Sequence, residues 1–279
     1  MLAIDQGESN EGSPLSYNCT FPSLIDAWRA EWFNATNGHT ARDFPFGFVQ
    51  LSVHGGLPCY GPKACYNQPT WAQGYAGIRW AQTASIGTVP NAVMKNVFMA
   101  TAVDLGEPRT PAGGPHVRDK QGVGSRLALA FREQFIPGDG PFYTPGAIAT
   151  SAVAENDVAA EVGGSTVTIT FSNLPSGDAP LLVPWSTLGL EVSNSPAVSR
   201  LTGNDTWVNV SAVSLGSGKG SVQVKSLLPH VTQVRYLWSD NPCLGWNSTT
   251  ERQETAAQYR CPLVTSVGLP VLPFLLDVR

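Results

Sequence analysis

Phe44-Pro45-Phe46-Gly47-Phe48-Val49-Gln50-Leu51-Ser52 reads as an apolar β-strand bounded by Pro45 and Gly47. Upstream, Met1–Ile4 reads as the tail of a buried strand that runs into the polar loop Asp5-Gln6-Gly7-Glu8-Ser9-Asn10. Between these strands Thr20 is placed to cap a helix, with Pro22 in its first turn. Phe21, Leu24, Ile25, Trp28 and Trp32 follow at helical spacing and give it one apolar face. Downstream, residues 55–73 read as loop, and Val97–Val103 as another apolar strand ending at Asp104. After a Gly/Pro-rich loop, Arg118–Gln134 reads as a helix with Val123, Leu127, Ala130 and Phe131 on one side. Strand and helix alternate, which predicts an α/β domain over residues 1–136. In such sheets chemistry sits in the loops after the carboxyl ends of the strands, here those after Ile4 and Val103.

From Pro137 the pattern changes. Thr166–Phe171, Trp207–Val213, Gly220–Lys225 and Gln233–Trp238 are short alternating or β-branched runs separated by Gly, Ser, Pro and Asn. That predicts an all-β, sandwich-like module over residues 137–279. The apolar run Leu263–Leu276 contains Pro270 and Pro273 and falls short of the ~20 residues needed to span a bilayer, so it reads as a terminal strand rather than an anchor.

Charged residues make up only 14% of the 279, and the formal net charge of −4 offers no basic stripe for nucleic acid or an anionic membrane. Asn18, Asn34, Asn204, Asn209 and Asn247 each begin an Asn-X-Ser/Thr glycosylation sequon. With Cys19, Cys59, Cys65, Cys243 and Cys261 they point to a secreted or lysosomal protein. Cys59 with Cys65, and Cys243 with Cys261, bracket short loops and read as local disulfides, leaving Cys19 odd. No cysteine or histidine spacing suits zinc. Met1 is followed by only three apolar residues, too few for a signal-peptide core, so the expectation is a chain lacking its upstream sequence.

Two stretches carry groups suited to chemistry. Gln6–Asn10 puts an amide, a carboxylate and two further polar side chains on a turn after a strand, and a Gln amide can serve as an oxyanion donor. His116 sits in Gly113-Gly114-Pro115-His116-Val117-Arg118-Asp119-Lys120-Gln121, just before a helix whose positive end favours the neutral imidazole a general base requires. His39 and His230 read as surface turn residues. His54-Gly55-Gly56 looks superficially like an oxyanion loop but has no Gly-X-Ser-X-Gly elbow beside it.

Gln6–Asn10, Asn18–Pro22, Phe44–Leu51, Ile78-Arg79-Trp80, Gln82-Thr83-Ala84, Val89-Pro90-Asn91, Phe98-Met99-Ala100 with Asp104-Leu105, and His116–Gln121 resemble, in order, successive blocks of the sialate O-acetylesterases. Gly140–Tyr143, Arg235–Trp238, Pro242-Cys243 and Cys261-Pro262 resemble that family's C-terminal β region. The resemblance implies a partial three-layer α/β domain of the SGNH-hydrolase type followed by the β module. It implies hydrolysis of O-acetyl esters of sialic acids through a serine acyl-enzyme, with no cofactor or metal. By position, His116 is the base, Gln6 the oxyanion donor and Glu8 the support of that turn. Arg79 is a candidate for the sialate carboxylate, with a structural ion pair as the alternative. The family's Gly-Gln-Ser-Asn nucleophile block has no counterpart here, and Gly113 and Gly114 stand where an acid often precedes the histidine. Asp104, Asp119 or a backbone carbonyl are the alternatives for orienting the histidine, and Ser9 is a stand-in nucleophile. A non-catalytic secreted carbohydrate-binding or interaction protein is the rival reading.

Overall fold

The computed structural model describes residues 2–54, 74–106, 115–157, 164–175, 181–182, 189–196, 206–218, 220–240, 242–243, 246–247, 252–253 and 261–279. Its N-terminal part is built on three parallel strands, β1 (Leu2–Asp5), β2 (Phe46–Gln50) and β3 (Val97–Thr101), in the order β1-β2-β3. Leu2 pairs with Phe46, and Phe46 with Val97, so the three strand ends finish level. Every residue of β2 and β3 is buried, as expected for parallel strands with helices on both faces. Helix α1 (Pro14–Ala35) covers one face: Phe21 lies edge-on to Phe48 at 5.2 Å, and Trp28 edge-on to Phe46 at 6.4 Å. Helix α3 (Lys120–Phe135) covers the other, where Phe131 and Phe135 flank Phe98 at 5.6 and 5.9 Å. Between them in sequence runs α2 (Gly74–Ala81), which packs on α1.

Helix α1 begins seven residues earlier than the capping signal at Thr20 suggests, with Ser13 as its cap. Pro14 takes its first turn, where a missing N–H costs nothing, and Pro22 lies inside the helix. An interior proline costs roughly 3 kcal/mol. Burial of Tyr17, Phe21 and Ile25 on one stripe offsets it, at about 1.5–3 kcal/mol for each large apolar side chain. The stripe ends at Arg29, whose guanidinium donates to the Phe44 and Asn96 carbonyls at the entries to β2 and β3. Trp32, predicted on the apolar face, is exposed.

The remaining strands are β4 (Ile148–Asp157), β5 (Gly164–Ser172), β6 (Leu181–Leu182), β7 (Leu190–Ser193), β8 (Val208–Asn209), β9 (Ala212–Leu215), β10 (Ser221–Ser226), β11 (Gln233–Tyr236), β12 (Trp246–Asn247), β13 (Arg252–Gln253), β14 (Leu263–Val264) and β15 (Phe274–Asp277). They form two four-stranded antiparallel sheets, β4-β5-β10-β9 and β15-β11-β7-β8, and two short pairs, β12-β13 and β14-β6. Val167, Ile169, Val222 and Val224 of the first sheet share one core with Leu190, Val192, Val234, Tyr236 and Phe274 of the second. The Cys243–Cys261 disulfide lies buried in that core. The chain is therefore a mixed α/β structure with few helices and several sheets. Cys59 and Cys65 fall outside the described residues; Cys19 is exposed on α1 and unpaired as a thiol. Among the described residues no helix is long and apolar enough to cross a membrane.

Candidate active site

The level strand ends bring three connections to one edge of the parallel sheet. After β1 the chain turns at Gly7, whose φ of 132° strains any other residue, and whose added Cβ would stand 3.0 Å from Ile78 Cγ2 and 3.2 Å from the Tyr17 hydroxyl. A 3-10 turn, Glu8–Asn10, follows. Gln6 is held on three sides. Its Oε1 accepts from the Tyr17 hydroxyl at 2.6 Å, its Nε2 donates to Asn10 Oδ1 at 2.9 Å, and its backbone carbonyl accepts from Gln82 Nε2 at 3.1 Å. Gln82, fully buried just beyond α2, also donates to Val49 O and accepts from Leu51 N, so one amide laces the end of β1 to that of β2.

After β2, the Ser52 hydroxyl reaches the Pro115 carbonyl at 3.5 Å, which seats the segment carrying His116 against this edge. Lys120 Nζ, opening α3, lies 3.4 Å from Asp5 Oδ2 at the end of β1. The turn Gln6–Asn10 and the exposed His116 thus share one edge of the sheet, the one that strand topology marks for chemistry. His54 adds a second imidazole there. Its Nε2 is 3.0 Å from Glu11 Oε2, and its ring stands edge-on to Tyr75 at 4.9 Å. The hydroxyls of Tyr17 and Tyr75 are pushed well above the ordinary phenol range, by burial first and then by the Glu8 carboxylate, so both remain neutral.

Arg79 reaches the end of β2 from the interior. It is fully buried, and its guanidinium donates to the carbonyls of Leu51, Ser52, Ser239 and Asp240 at 2.9–3.3 Å. That commitment takes it out of the substrate-binding role and makes it a clamp between the end of β2 and the segment after β11. Its hydrogen-bond partners among the described residues are neutral carbonyls. Burial pushes its pKa down to about 10, against the opposing pull of Asp240. Asp240 completes the clamp: its Oδ1 accepts from Tyr75 N at 2.8 Å at the start of α2, and its carbonyl accepts from His54 N at 3.2 Å.

The two carboxylates considered as partners of His116 are engaged elsewhere. Asp104 forms a two-pronged pair with Arg126 at 2.6 and 2.7 Å, and Asp119 caps α3 by accepting from Gly122 N at 2.7 Å. Ser9 is exposed on the 3-10 turn. Among the sequons, Asn34 and Asn209 are exposed, and Asn18 lies within α1, accepting from the Ser85 hydroxyl at 2.7 Å. Asn247 lies in β12. Asn204 falls outside the described residues. Sequence reasoning missed Tyr17, Gln82, Tyr75 and Asp240. Gln82 fell within a block that resembled the family but had no role attached, and no local pattern marked the others.

Comparison with known proteins agrees with the resemblance read from the sequence blocks. Sialate O-acetylesterases from Pongo abelii and Homo sapiens are 43% identical to this chain over 142 residues, and that from Mus musculus 42%. The matched stretch is 49% of this chain and 24–25% of those proteins' length. No family model matches the chain. A solved carbohydrate acetylesterase from Xanthomonas citri superposes with a TM-score of 0.60 at 20% identity. That superposition covers 99% of this chain and 50% of that one, and shows a shared fold.

Proposed function

We propose that this chain is part of a carbohydrate O-acetylesterase that removes acetyl groups from O-acetylated sialic acids. The reading is supported by two contacts at the carboxyl edge of the parallel sheet, Asp5–Lys120 and Ser52–Pro115, which flank the Gln6–Asn10 turn and His116, in a chain 43% identical to sialate O-acetylesterases over 142 residues. In this reading His116 takes the proton of a serine hydroxyl as the serine oxygen attacks the acetyl carbonyl. The Gln6 amide donates to the oxyanion, and Glu8 supports the turn. The tetrahedral species then expels the sugar oxygen, which leaves with the proton held by His116, and water hydrolyses the acetyl-serine to acetate. The SGNH-type domain is partial here and the nucleophilic serine lies outside this chain. The protein is a secreted or lysosomal glycoprotein.

Labelling with a fluorophosphonate, followed by peptide mapping, tests this directly. The expected result is no serine adduct on the isolated folded chain and an adduct on an upstream serine when that sequence is restored. An adduct on Ser9 that disappears in His116→Ala overturns the external nucleophile. Esterase activity unchanged in His116→Ala of the restored protein overturns the role of His116.

A further inference from the structure

Gln6 is a useful oxyanion donor only if its amide is turned the right way round, and α1 supplies the group that turns it. The Tyr17 hydroxyl donates to Gln6 Oε1 at 2.6 Å, from a side chain only 3% exposed on the buried stripe of the helix. The space for this contact exists because residue 7 has no side chain. An amide carries its oxygen and nitrogen on opposite sides of one carbon. Pinning the oxygen to a buried hydroxyl therefore turns the NH2 group away from the core. One of its two N–H bonds goes to Asn10 Oδ1, and the other is left free of the hydrogen bonds formed by the described residues. A hydroxyl held neutral by burial and by Glu8 keeps donating across the whole working pH range.

We propose that Tyr17 is the positioning residue of the site: its hydroxyl fixes the Gln6 amide so that a free N–H is presented at the strand ends to a developing oxyanion. The inference rests on the esterase reading and adds a residue and a device to it. Tyr17→Phe keeps the ring stacked on Phe21 at 5.1 Å and removes only the hydroxyl.

The test uses the isotopically labelled chain and methylphosphonate, a tetrahedral anion that stands in for the intermediate and needs no nucleophile. In the parent, the Gln6 side-chain amide resonances shift on titration; in Tyr17→Phe the midpoint weakens about tenfold or the shift is lost, while the backbone spectrum stays that of the parent. In the restored enzyme the same variant lowers kcat by about tenfold or more with KM unchanged, up to the roughly hundred- to thousand-fold of losing one oxyanion donor outright. Tyr17→Phe added to Gln6→Ala then costs little more than Gln6→Ala alone. A parent chain whose Gln6 amide ignores the anion, or a Tyr17→Phe variant that responds like the parent, overturns the proposal. Absence of turnover in the restored parent enzyme counts against the esterase reading alone, because the Tyr17-dependent shift is measured without turnover.

Discussion

Arg79→Met exchanges the buried guanidinium for an apolar side chain of similar reach, and its cost follows from what the guanidinium holds. Four carbonyls, of Leu51, Ser52, Ser239 and Asp240, lose a charged donor at once. A buried acceptor left without a partner costs roughly 1–3 kcal/mol, so independent losses would exceed about 4 kcal/mol. Two offsets apply. Removing the charge recovers the desolvation penalty that pushes the Arg79 pKa down to about 10. Released carbonyls near the surface can also take up water. A net loss of about 3 kcal/mol is expected once these offsets are taken. Urea unfolding followed by tryptophan fluorescence measures it, since Trp80 and Trp238, 5.6 Å apart, each adjoin a residue of the clamp. For a chain of this size the equivalent fall in melting temperature is about 6–12 °C. Arg79→Lys recovers part of the loss, because an ammonium has three donors on a compact head. A variant as stable as the parent that nevertheless loses affinity for sialate would refute the clamp and restore Arg79 to the substrate.

Three further outcomes follow from the fold. Gly47→Ala places a methyl group against the Phe98 ring in the middle of the sheet, and is expected to cost about 1–3 kcal/mol by thermal melting. Replacing Cys243 and Cys261 together by Ala opens a buried cross-link spanning 18 residues and lowers stability by about 3 kcal/mol, measured by urea titration with the parent under non-reducing conditions. Tyr17, Tyr75 and Tyr236 all have hydroxyl pKa values raised by burial, so the folded state binds more protons than the unfolded state above pH ~10. Their contribution is fully present below that pH and is lost as pH rises through the folded values; Arg79, with its lowered pKa, acts in the opposite sense. Melting temperatures measured from about pH 8 to pH 11 are expected to fall above pH ~10, and to fall less in Tyr236→Phe.

The sequence alone determined the strands at Phe46–Gln50 and Val97–Thr101, because runs of large apolar residues ending in Gly, Pro or Asp have few other ways to be buried. It also specified α3, whose apolar spacing is local, and the Cys243–Cys261 pair, whose partners are close in the chain. The order of family-like blocks marked Gln6–Asn10 and His116 as candidates. What stayed illegible was set by distant partners. The start of α1 at Pro14 depends on the surface that Tyr17 and Phe21 bury, which outweighs the local signal of Pro22. Strand β4 is rich in Ala, Ser and Thr and becomes a strand through its pairing with β5. Arg79 read as either a carboxylate receptor or a structural residue, because an arginine side chain looks the same whether its fork meets a ligand or a backbone. Four carbonyls, two of them about 160 residues away, decide which, and only folding brings them together. Tyr17 and Gln6 are eleven residues apart and lie in different elements, so the contact that orients the amide exists only once α1 has docked against the end of β1.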